Sequence, residues 1–421
     1  MALLETARKR VRSVLDEINR IAEYEFPYKG SSLALRRVEQ VFLARLASLN
    51  KLTASSTDTV VRQICSLALR DVVIYLPLLG FIVRSTNIRN SFEVFRPLLR
   101  MARAVLEPNL PAGGVYQTQL VVSSEWMYSP FVFREVPGLL GFVLIGLPAA
   151  ESANPLLIPL AGHELGHTVW ASTASKVSAA LRPAVIDEIL KVIRKRWAEY
   201  QAAFPNIKIT QAQLDKDLAA INSWEPAAAR ALEQTEETFC DCLGLRLFGT
   251  AYLEAYAYLL APVIPGNRSL GYPNTLARVG NMITAAGESK TAVPTNYQAQ
   301  FDDNPTYALP PYALFLLSVA DEAVGNILKT IIQEAQRIAT DSKIPVSDPA
   351  HVNRIYARFK LMVPAEKCLC LADILNAAWM AFRDNAFWQN EPQIGVKKDE
   401  ILKELVLKNI ELFEIQEILG P

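Results

Sequence analysis

The sequence lacks a net charge, because 43 Lys and Arg residues balance 43 Asp and Glu residues in a chain of 421. No overall field attracts nucleic acid or an anionic membrane surface, so we expect no nucleic acid among its partners. Cysteine is also scarce, and an odd number of cysteines argues against a full disulfide framework. We predict reduced thiols at Cys65, Cys240, Cys242, Cys368 and Cys370.

Long hydrophobic runs are missing too. The longest uncharged apolar runs are residues 72–83, 137–150 and 307–320, and each contains proline or glycine. Each is shorter than the roughly 20 residues that a membrane-spanning helix needs. The first 21 residues carry charges and have no apolar h-region of a secretory signal. We therefore predict no transmembrane segment and a cytoplasmic location.

The apolar pattern predicts a mainly α protein with a small β-sheet, an α+β fold. Apolar residues at helical spacing predict N-terminal helices at roughly 3–21, 31–50, 57–70 and 90–106. Alternating or short apolar segments rich in β-branched residues predict strands at 115–122 and 141–146. Changes in composition then divide the chain into a helical region (1–110), a core (111–320) and a C-terminal helical region (321–421).

The second half of the chain is predicted to be helical with one loop-rich stretch, residues 262–311, which contains seven prolines. Before it, we predict polar helices at 183–203 and 210–222, a helix from Pro226 to Gly249, and a further helix at 251–261. After it, helices are predicted at 312–340, 348–362, 371–385 and 398–418.

Two of the three histidines stand four residues apart, in His163-Glu164-Leu165-Gly166-His167. Asn154 and the prolines at 155 and 159 predict a helix that starts about one turn earlier. On a helix this spacing stacks both imidazoles on one face, where they can share a metal ion. The adjacent Glu164 can deprotonate a metal-bound water. This motif is the signature of zinc peptidases, so we predict Zn²⁺ as cofactor.

A catalytic zinc site needs a third protein ligand. His351 lies in a polar context and looks like a surface residue. Glu237 and Asp241 form an i,i+4 pair on the helix predicted at 226–249, so Glu237 can bind zinc while Asp241 accepts an N–H from a ligating histidine. Two neighbouring carboxylates, Glu233 and Glu236, stay open as alternatives.

HELGH followed by a helical ExxxD is similar to the gluzincin metallopeptidases, and within them resembles the CAAX-type prenyl-protein endopeptidases and their bacterial relatives. A third segment, residues 271–279 (GYPNTLARV), resembles the His-Pro…Arg segment of that family. The matches cover about twenty residues of the chain. The resemblance implies a zincin-like core wrapped by additional helices. The transmembrane helices of that family are absent here, so we expect a soluble relative.

The resemblance also implies roles for single residues. His163, His167 and Glu237 would be zinc ligands, Glu164 the general base, and Asp241 a partner of a ligating histidine. Arg278 would organise the site through a carboxylate. Tyr272 stands where the family has histidine, and a phenol can donate the same hydrogen bond to the oxyanion.

The predicted function is therefore zinc-dependent hydrolysis of peptide bonds in a protein or peptide substrate. Tyr307 and Tyr312 are alternatives to Tyr272 as the oxyanion donor. The strand at 141–146 is predicted to pair with an extended substrate. A regulatory partner, or the helices at 1–106 or 183–222, would gate such an enzyme. The alternatives are a catalytically silent zinc-binding scaffold that binds a partner protein, and a fortuitous HELGH.

Overall fold

Helices dominate the structure, a computed structural model, and a small three-stranded sheet accompanies them. The predicted mainly α fold with a small sheet is confirmed. The structure describes residues 2–53, 55–86, 92–109, 117–127, 129–133, 136, 138–172, 174–262, 267–305, 308–390 and 397–419.

Contacts within the chain form two compact units. The first contains Met1–Arg103 and Gly113–Ala153, and the second contains Ala104–Ala112 and Asn154–Pro421. The predicted division at residues 110 and 320 stays a prediction.

Four helices precede the sheet: α1 (Ala2–Ala22), α2 (Lys29–Asn50), α3 (Asp58–Arg84) and α4 (Phe92–Leu106). They lie close to the predicted segments, with one correction. The prediction ended the third helix at residue 70, whereas α3 continues through Pro77 to Arg84. Helices α1, α2 and α3 pack together around an apolar core, which stabilises the longer helix despite its internal proline.

Among the described residues, one helix passes the length and composition test for a membrane span. It is α3. Its most apolar stretch of 18 residues has a mean hydropathy of 1.8, and 44% of that stretch is buried. A core helix passes the same test. The absence of a transmembrane segment and the cytoplasmic location therefore stay predictions.

The sheet has the order β1-β3-β2, with β1 at Gln119–Glu125, β2 at Phe131–Val132 and β3 at Phe142–Pro148. Strands β1 and β3 are parallel, and β2 runs antiparallel to β3. The central strand β3 matches the predicted strand at 141–146. It pairs with β1 along one edge and with β2 at Ile145 and Gly146 on the other. A substrate therefore cannot pair with β3 at Ile145 and Gly146, because β1 and β2 already pair with both edges of the strand there.

The second unit begins with a 3₁₀ helix (Pro155–Leu160) that leads directly into α5 (Ala161–Ala171). The side chain of Asn154 accepts a hydrogen bond from the N–H of Leu156 and caps the start, as the sequence predicted. The later helices are α6 (Val177–Lys195), α7 (Trp197–Ala203), α8 (Leu218–Phe248), α9 (Thr250–Leu260), α10 (Thr275–Ser289), α11 (Pro311–Asn326), α12 (Leu328–Asp341), α13 (Pro349–Lys360), α14 (Leu371–Arg383), α15 (Asn385–Asn390) and α16 (Lys398–Leu419).

Several predictions for this unit were wrong. The helices predicted at 183–203 and 312–340 are each two helices, divided at Arg196 and at Ile327. The helices predicted at 210–222 and 226–249 are the single helix α8, with Pro226 inside it. The side chain of Asp217 caps α8 by accepting a hydrogen bond from the N–H of Ala220 (3.0 Å), so the helix begins well before the proline. The stretch predicted to be loop-rich contains α10, whose cap is Asn274.

Helix α8 is central to the second unit and packs against α5, α10, α11 and α12, among others. Glycines allow α5 to approach it closely. A Cβ on Gly166 would lie 2.8 Å from Cα of Cys240, and one on Gly162 would lie 3.1 Å from Cα of Gly244. Only glycine fits at such distances between backbones. This contact brings the histidines of α5 against the acidic residues of α8.

Candidate metal centre

The two histidines of the HELGH motif lie side by side on α5. Their Nε2 atoms are 3.1 Å apart, and both residues are buried in the protein. The i,i+4 spacing therefore places the imidazoles on one helical face, as the sequence predicted.

Glu237 of α8 faces both imidazoles. Its Oε2 lies 3.3 Å from Nε2 of His163, and its Oε1 lies 3.5 Å from Nε2 of His167. The carboxylate is almost completely buried. Two nitrogens of α5 and the two oxygens of one α8 carboxylate thus face each other across the contact between the helices.

The donor set fits a zinc ion. Zinc binds imidazole nitrogen and carboxylate oxygen at about 2.0–2.2 Å, so neighbouring donors in a tetrahedral site lie about 3.3 Å apart. The two Nε2 atoms lie 3.1 Å apart, and each has a different oxygen of Glu237 near that distance, Oε2 at 3.3 Å from His163 and Oε1 at 3.5 Å from His167. Three protein donors also leave one position open, as catalytic zinc sites do.

The other ring nitrogens of the histidines are held by carboxylates. Nδ1 of His163 lies 2.9 Å from Oδ1 of Asp241, and Nδ1 of His167 lies 2.7 Å from Oε1 of Glu236. A carboxylate at Nδ1 favours the tautomer that protonates this nitrogen and leaves Nε2 free to bind a metal. Both Nε2 atoms therefore point to Glu237 as potential ligands.

Asp241 is in turn held by several donors. Nε and Nη2 of Arg278 on α10 lie 2.6 and 2.9 Å from its two oxygens. The hydroxyl of Tyr252 on α9 donates a hydrogen bond of 2.7 Å to Oδ1. A carboxylate with a bidentate arginine and a phenol has little freedom to rotate. Asp241 therefore fixes the ring plane of His163.

The field at the centre favours a positive charge. Burial lowers the pKa of His163, but its hydrogen bonds to Asp241 and Glu237 outweigh burial and raise the pKa to about 10. Burial raises the pKa of Asp241, yet Arg278 and His163 hold it well below its usual range. Burial also raises the pKa of Glu237, but its hydrogen bond to His163 and the charges of His163 and Arg278 outweigh burial and lower the pKa. A buried cluster of ionised carboxylates suits a bound cation.

Glu164 lies on α5 between the two histidines in sequence, and it is buried with them. Burial is the main reason that its pKa is raised. The charges of His163, His167 and Arg278 act in the opposite direction. The role of Glu164 as general base stays a prediction.

Tyr272 lies at the open side of the centre and is 39% exposed. Its phenol hydrogen-bonds to Glu237, and burial together with the charge of Glu237 raises its pKa, so it stays protonated. The guanidinium carbon of Arg278 lies 5.6 Å from its ring centre. The role of Tyr272 as oxyanion donor stays a prediction. Tyr312 is exposed and packs on Phe204 instead, and Tyr307 lies outside the described residues.

The remaining candidate ligands behave differently. Glu236 contacts Nδ1 of His167 and not Nε2. The carboxylate of Glu233 packs against Gly271, where an added Cβ would lie 2.3 Å from its Oε2. His351 pairs with Asp373, 3.5 Å away, on α13 and α14. Among these residues, Glu237 is the carboxylate that faces both metal-binding nitrogens.

Cys240 is a second possible third ligand. Its sulfur lies within 4.8 Å of a ring nitrogen of each histidine. The pKa of this thiol is raised well above its usual range by burial and by the neighbouring carboxylates, so the sulfur is neutral. Zinc binds the thiolate form. A bound metal releases this proton, so Cys240 gives a second ligand set that can be tested, and we favour Glu237 because its oxygens lie 3.3 and 3.5 Å from the two Nε2 atoms.

Sequence reasoning missed one residue of the site. Tyr252 follows the turn at Gly249, and nothing in its sequence context indicates a contact with Asp241. Its ring packs where a Cβ on Gly244 would be, since that atom would lie 2.5 Å from it. The ring of Tyr252 fits against Gly244 because α9 packs on α8, and this contact cannot be read from the sequence.

Comparisons with known proteins were negative. The chain matches no protein-family model, no curated protein and no solved structure.

Proposed function

We propose that the protein is a zinc-dependent metallopeptidase of the gluzincin type, with a zincin-like core built around α5 and α8. The observation that carries the proposal is the set of distances among Nε2 of His163, Nε2 of His167 and the carboxylate of Glu237. They bring two imidazole nitrogens and a carboxylate, the donor types of a catalytic zinc site, within 3.5 Å of one another. The proposal includes a protein or peptide substrate and the cytoplasmic location.

His163, His167 and Glu237 would hold the zinc, with Asp241 and Glu236 orienting the two imidazoles. When bound, zinc supplies a Lewis acid that activates a water molecule and polarises the scissile carbonyl. The protein supplies the proton transfers. Glu164 takes the proton of the attacking water on its carboxylate and passes it to the leaving amine.

Tyr272 would stabilise the oxyanion of the tetrahedral intermediate. Its phenol lies beside Glu237 and is partly exposed, so the hydroxyl can turn from the carboxylate to a substrate. Arg278 acts through Asp241 and holds the histidine partner in place.

A catalytically silent zinc-binding scaffold is the second candidate, and one observation favours it. The donors are deeply buried: 8% of His163, 5% of His167 and 2% of Glu237 are exposed. A buried site that includes Cys240 would resemble a structural zinc site in its donor set. In that case the protein would act by binding a partner.

The test is zinc stoichiometry together with cleavage of an unfolded protein such as reduced casein. The wild type should bind one zinc per chain and cleave, whereas Glu164→Gln should keep the metal and lose activity. Glu225→Gln, an exposed position on α8, is the matched control and should behave as the wild type. Zinc binding without cleavage of any substrate in a broad peptide library would favour the scaffold. No zinc binding would overturn both candidates.

A further inference from the structure

A cleft of about 450 Å³ lies in the second unit, away from the metal centre. Its walls come from the last turn of α8, the start of α9, the end of α10, the start of α13 and the middle of α14. Pockets of this volume bind small molecules. Arg246 in this wall follows Glu237 by nine residues of the same helix, which is about 14 Å along the helix axis.

The cleft carries more positive than negative charge. Within the part of the chain that the structure describes, the charged residues that line it are Arg246, Lys290, Arg383 and Glu254. The one carboxylate is already engaged, because Nε and Nη2 of Arg383 lie 3.0 and 2.6 Å from Oε2 of Glu254. Two cations, Arg246 and Lys290, remain without a lining carboxylate to balance them.

Of these two cations, Arg246 gives the stronger evidence that the cleft binds an anion. Its Nε is buried and has no hydrogen-bond partner among the described residues. A buried donor without a partner is unfavourable, and a ligand that accepts its hydrogen bond would remove that cost. Guanidinium groups also match the geometry of carboxylate and phosphate oxygens.

The rest of the lining is of two kinds. Hydroxyl groups of Ser289 and Thr291, 2.9 Å apart, lie at the side of Lys290. Apolar side chains, including Val352, Trp379 and Met380, form the opposite side. A ligand that fits has an anionic end and an apolar body.

We propose that this cleft binds a small amphipathic anion, with its carboxylate or phosphate group on Arg246 and Lys290 and its apolar chain against Met380. The proposal goes beyond peptide hydrolysis and does not depend on it, since binding is measured without catalysis. Carboxylate and phosphate share the same recognition chemistry, and the experiment separates them.

The experiment is calorimetric titration of the full chain with decanoate, decyl phosphate and decan-1-ol, each below its micellar concentration. One anion per chain should bind saturably, and the uncharged alcohol should bind about tenfold more weakly or not at all. The stronger of the two anions identifies the headgroup. Equal binding of the alcohol and both anions, or no binding of either anion, would overturn the proposal.

Two variants locate the site. Arg246→Gln should weaken the anion about tenfold or more, whereas Arg182→Gln, an exposed arginine on α6, should leave the affinity unchanged. Ala292→Trp places a large side chain at an exposed position of the cleft and should block binding without a change of charge. Melting curves show that each variant is folded. Unaltered binding in both Arg246→Gln and Ala292→Trp would place the anion elsewhere and overturn the assignment.

Discussion

His167 is held between two consecutive glutamates of α8. Oε1 of Glu236 lies 2.7 Å from its Nδ1, and Oε1 of Glu237 lies 3.5 Å from its Nε2. The two carboxylates contact opposite nitrogens of one ring. One therefore orients the imidazole, while the other faces the nitrogen that would bind the metal. This division of roles makes the contributions of adjacent acidic residues separable.

Replacing the proposed third ligand should weaken zinc binding more than replacing its neighbour Cys240. Glu237→Ala removes a charged donor, so we expect the zinc affinity to fall by more than about 100-fold, beyond the loss typical of an orienting residue. Cys240→Ala should change it by less than about tenfold, because Glu237 would still supply the third donor. Competition with a calibrated chelator measures both. The reverse order would make Cys240 the ligand.

The carboxylates at the Nδ1 atoms should have intermediate effects. Glu236→Gln and Asp241→Asn keep the shape of the side chain but weaken its hold on an imidazole, and we expect each to lower zinc affinity by about 10–100-fold. The same chelator competition applies, with Glu225→Gln as control. Affinity equal to that of the wild type in both variants would show that the hydrogen bonds at Nδ1 do not orient the ligands.

The glycine of the HELGH motif should be essential for packing. Gly166→Ala places a Cβ 2.8 Å from Cα of Cys240, and this backbone cannot move without separating α5 from α8. We expect a loss of about 1–3 kcal/mol in the free energy of unfolding, together with weaker zinc binding. Denaturant unfolding measures the first quantity.

A matched control exists on α10. Gly280 has no atom within 4 Å of an added Cβ, so Gly280→Ala should leave stability unchanged or raise it by about 0.4–1 kcal/mol. If Gly166→Ala behaves like this control, the close approach of α5 and α8 does not require glycine.

The phenol of Tyr272 should affect turnover more than metal binding. Tyr272→Phe keeps the ring beside Arg278 but removes the hydroxyl, and we expect kcat to fall by about 10²–10³-fold. Zinc affinity should fall much less than kcat, because the phenol contacts the ligand Glu237 but is not itself a donor to the metal. Steady-state kinetics and zinc titration of the same preparation separate the two effects. An unchanged kcat would exclude Tyr272 as the oxyanion donor.

Removing the metal should destabilise the protein, because the buried carboxylates would lose the cation that balances them. A ligand present at about 100 times its Kd stabilises the folded state by about 2.7 kcal/mol. We therefore expect a chelator to lower Tm in the wild type and to have little effect in Glu237→Ala. Equal Tm shifts in the two proteins would mean that the chelator acts elsewhere.

Local signals in the sequence predicted much of the fold. Asn154 and the two prolines that follow marked the start of the segment that leads into α5, and the structure has a capped 3₁₀ helix there. Gly249 was expected at the end of a helix and ends α8 with a positive φ. The predictions failed where packing outweighed a local signal, as at Pro226, which was expected to begin a helix and lies inside α8.

The sequence by itself determined the pairs that helical periodicity fixes: His163 with His167, and Glu237 with Asp241. These follow from a repeat of 3.6 residues and need no partner helix. Only the tertiary structure decided which glutamate faces Nε2, that Tyr252 holds Asp241, and that Arg278 reaches it from α10. The reason is that successive side chains of α8 project in different directions around the helix axis. The close contacts of Gly162 and Gly166 with α8 determine which of these side chains face the histidines.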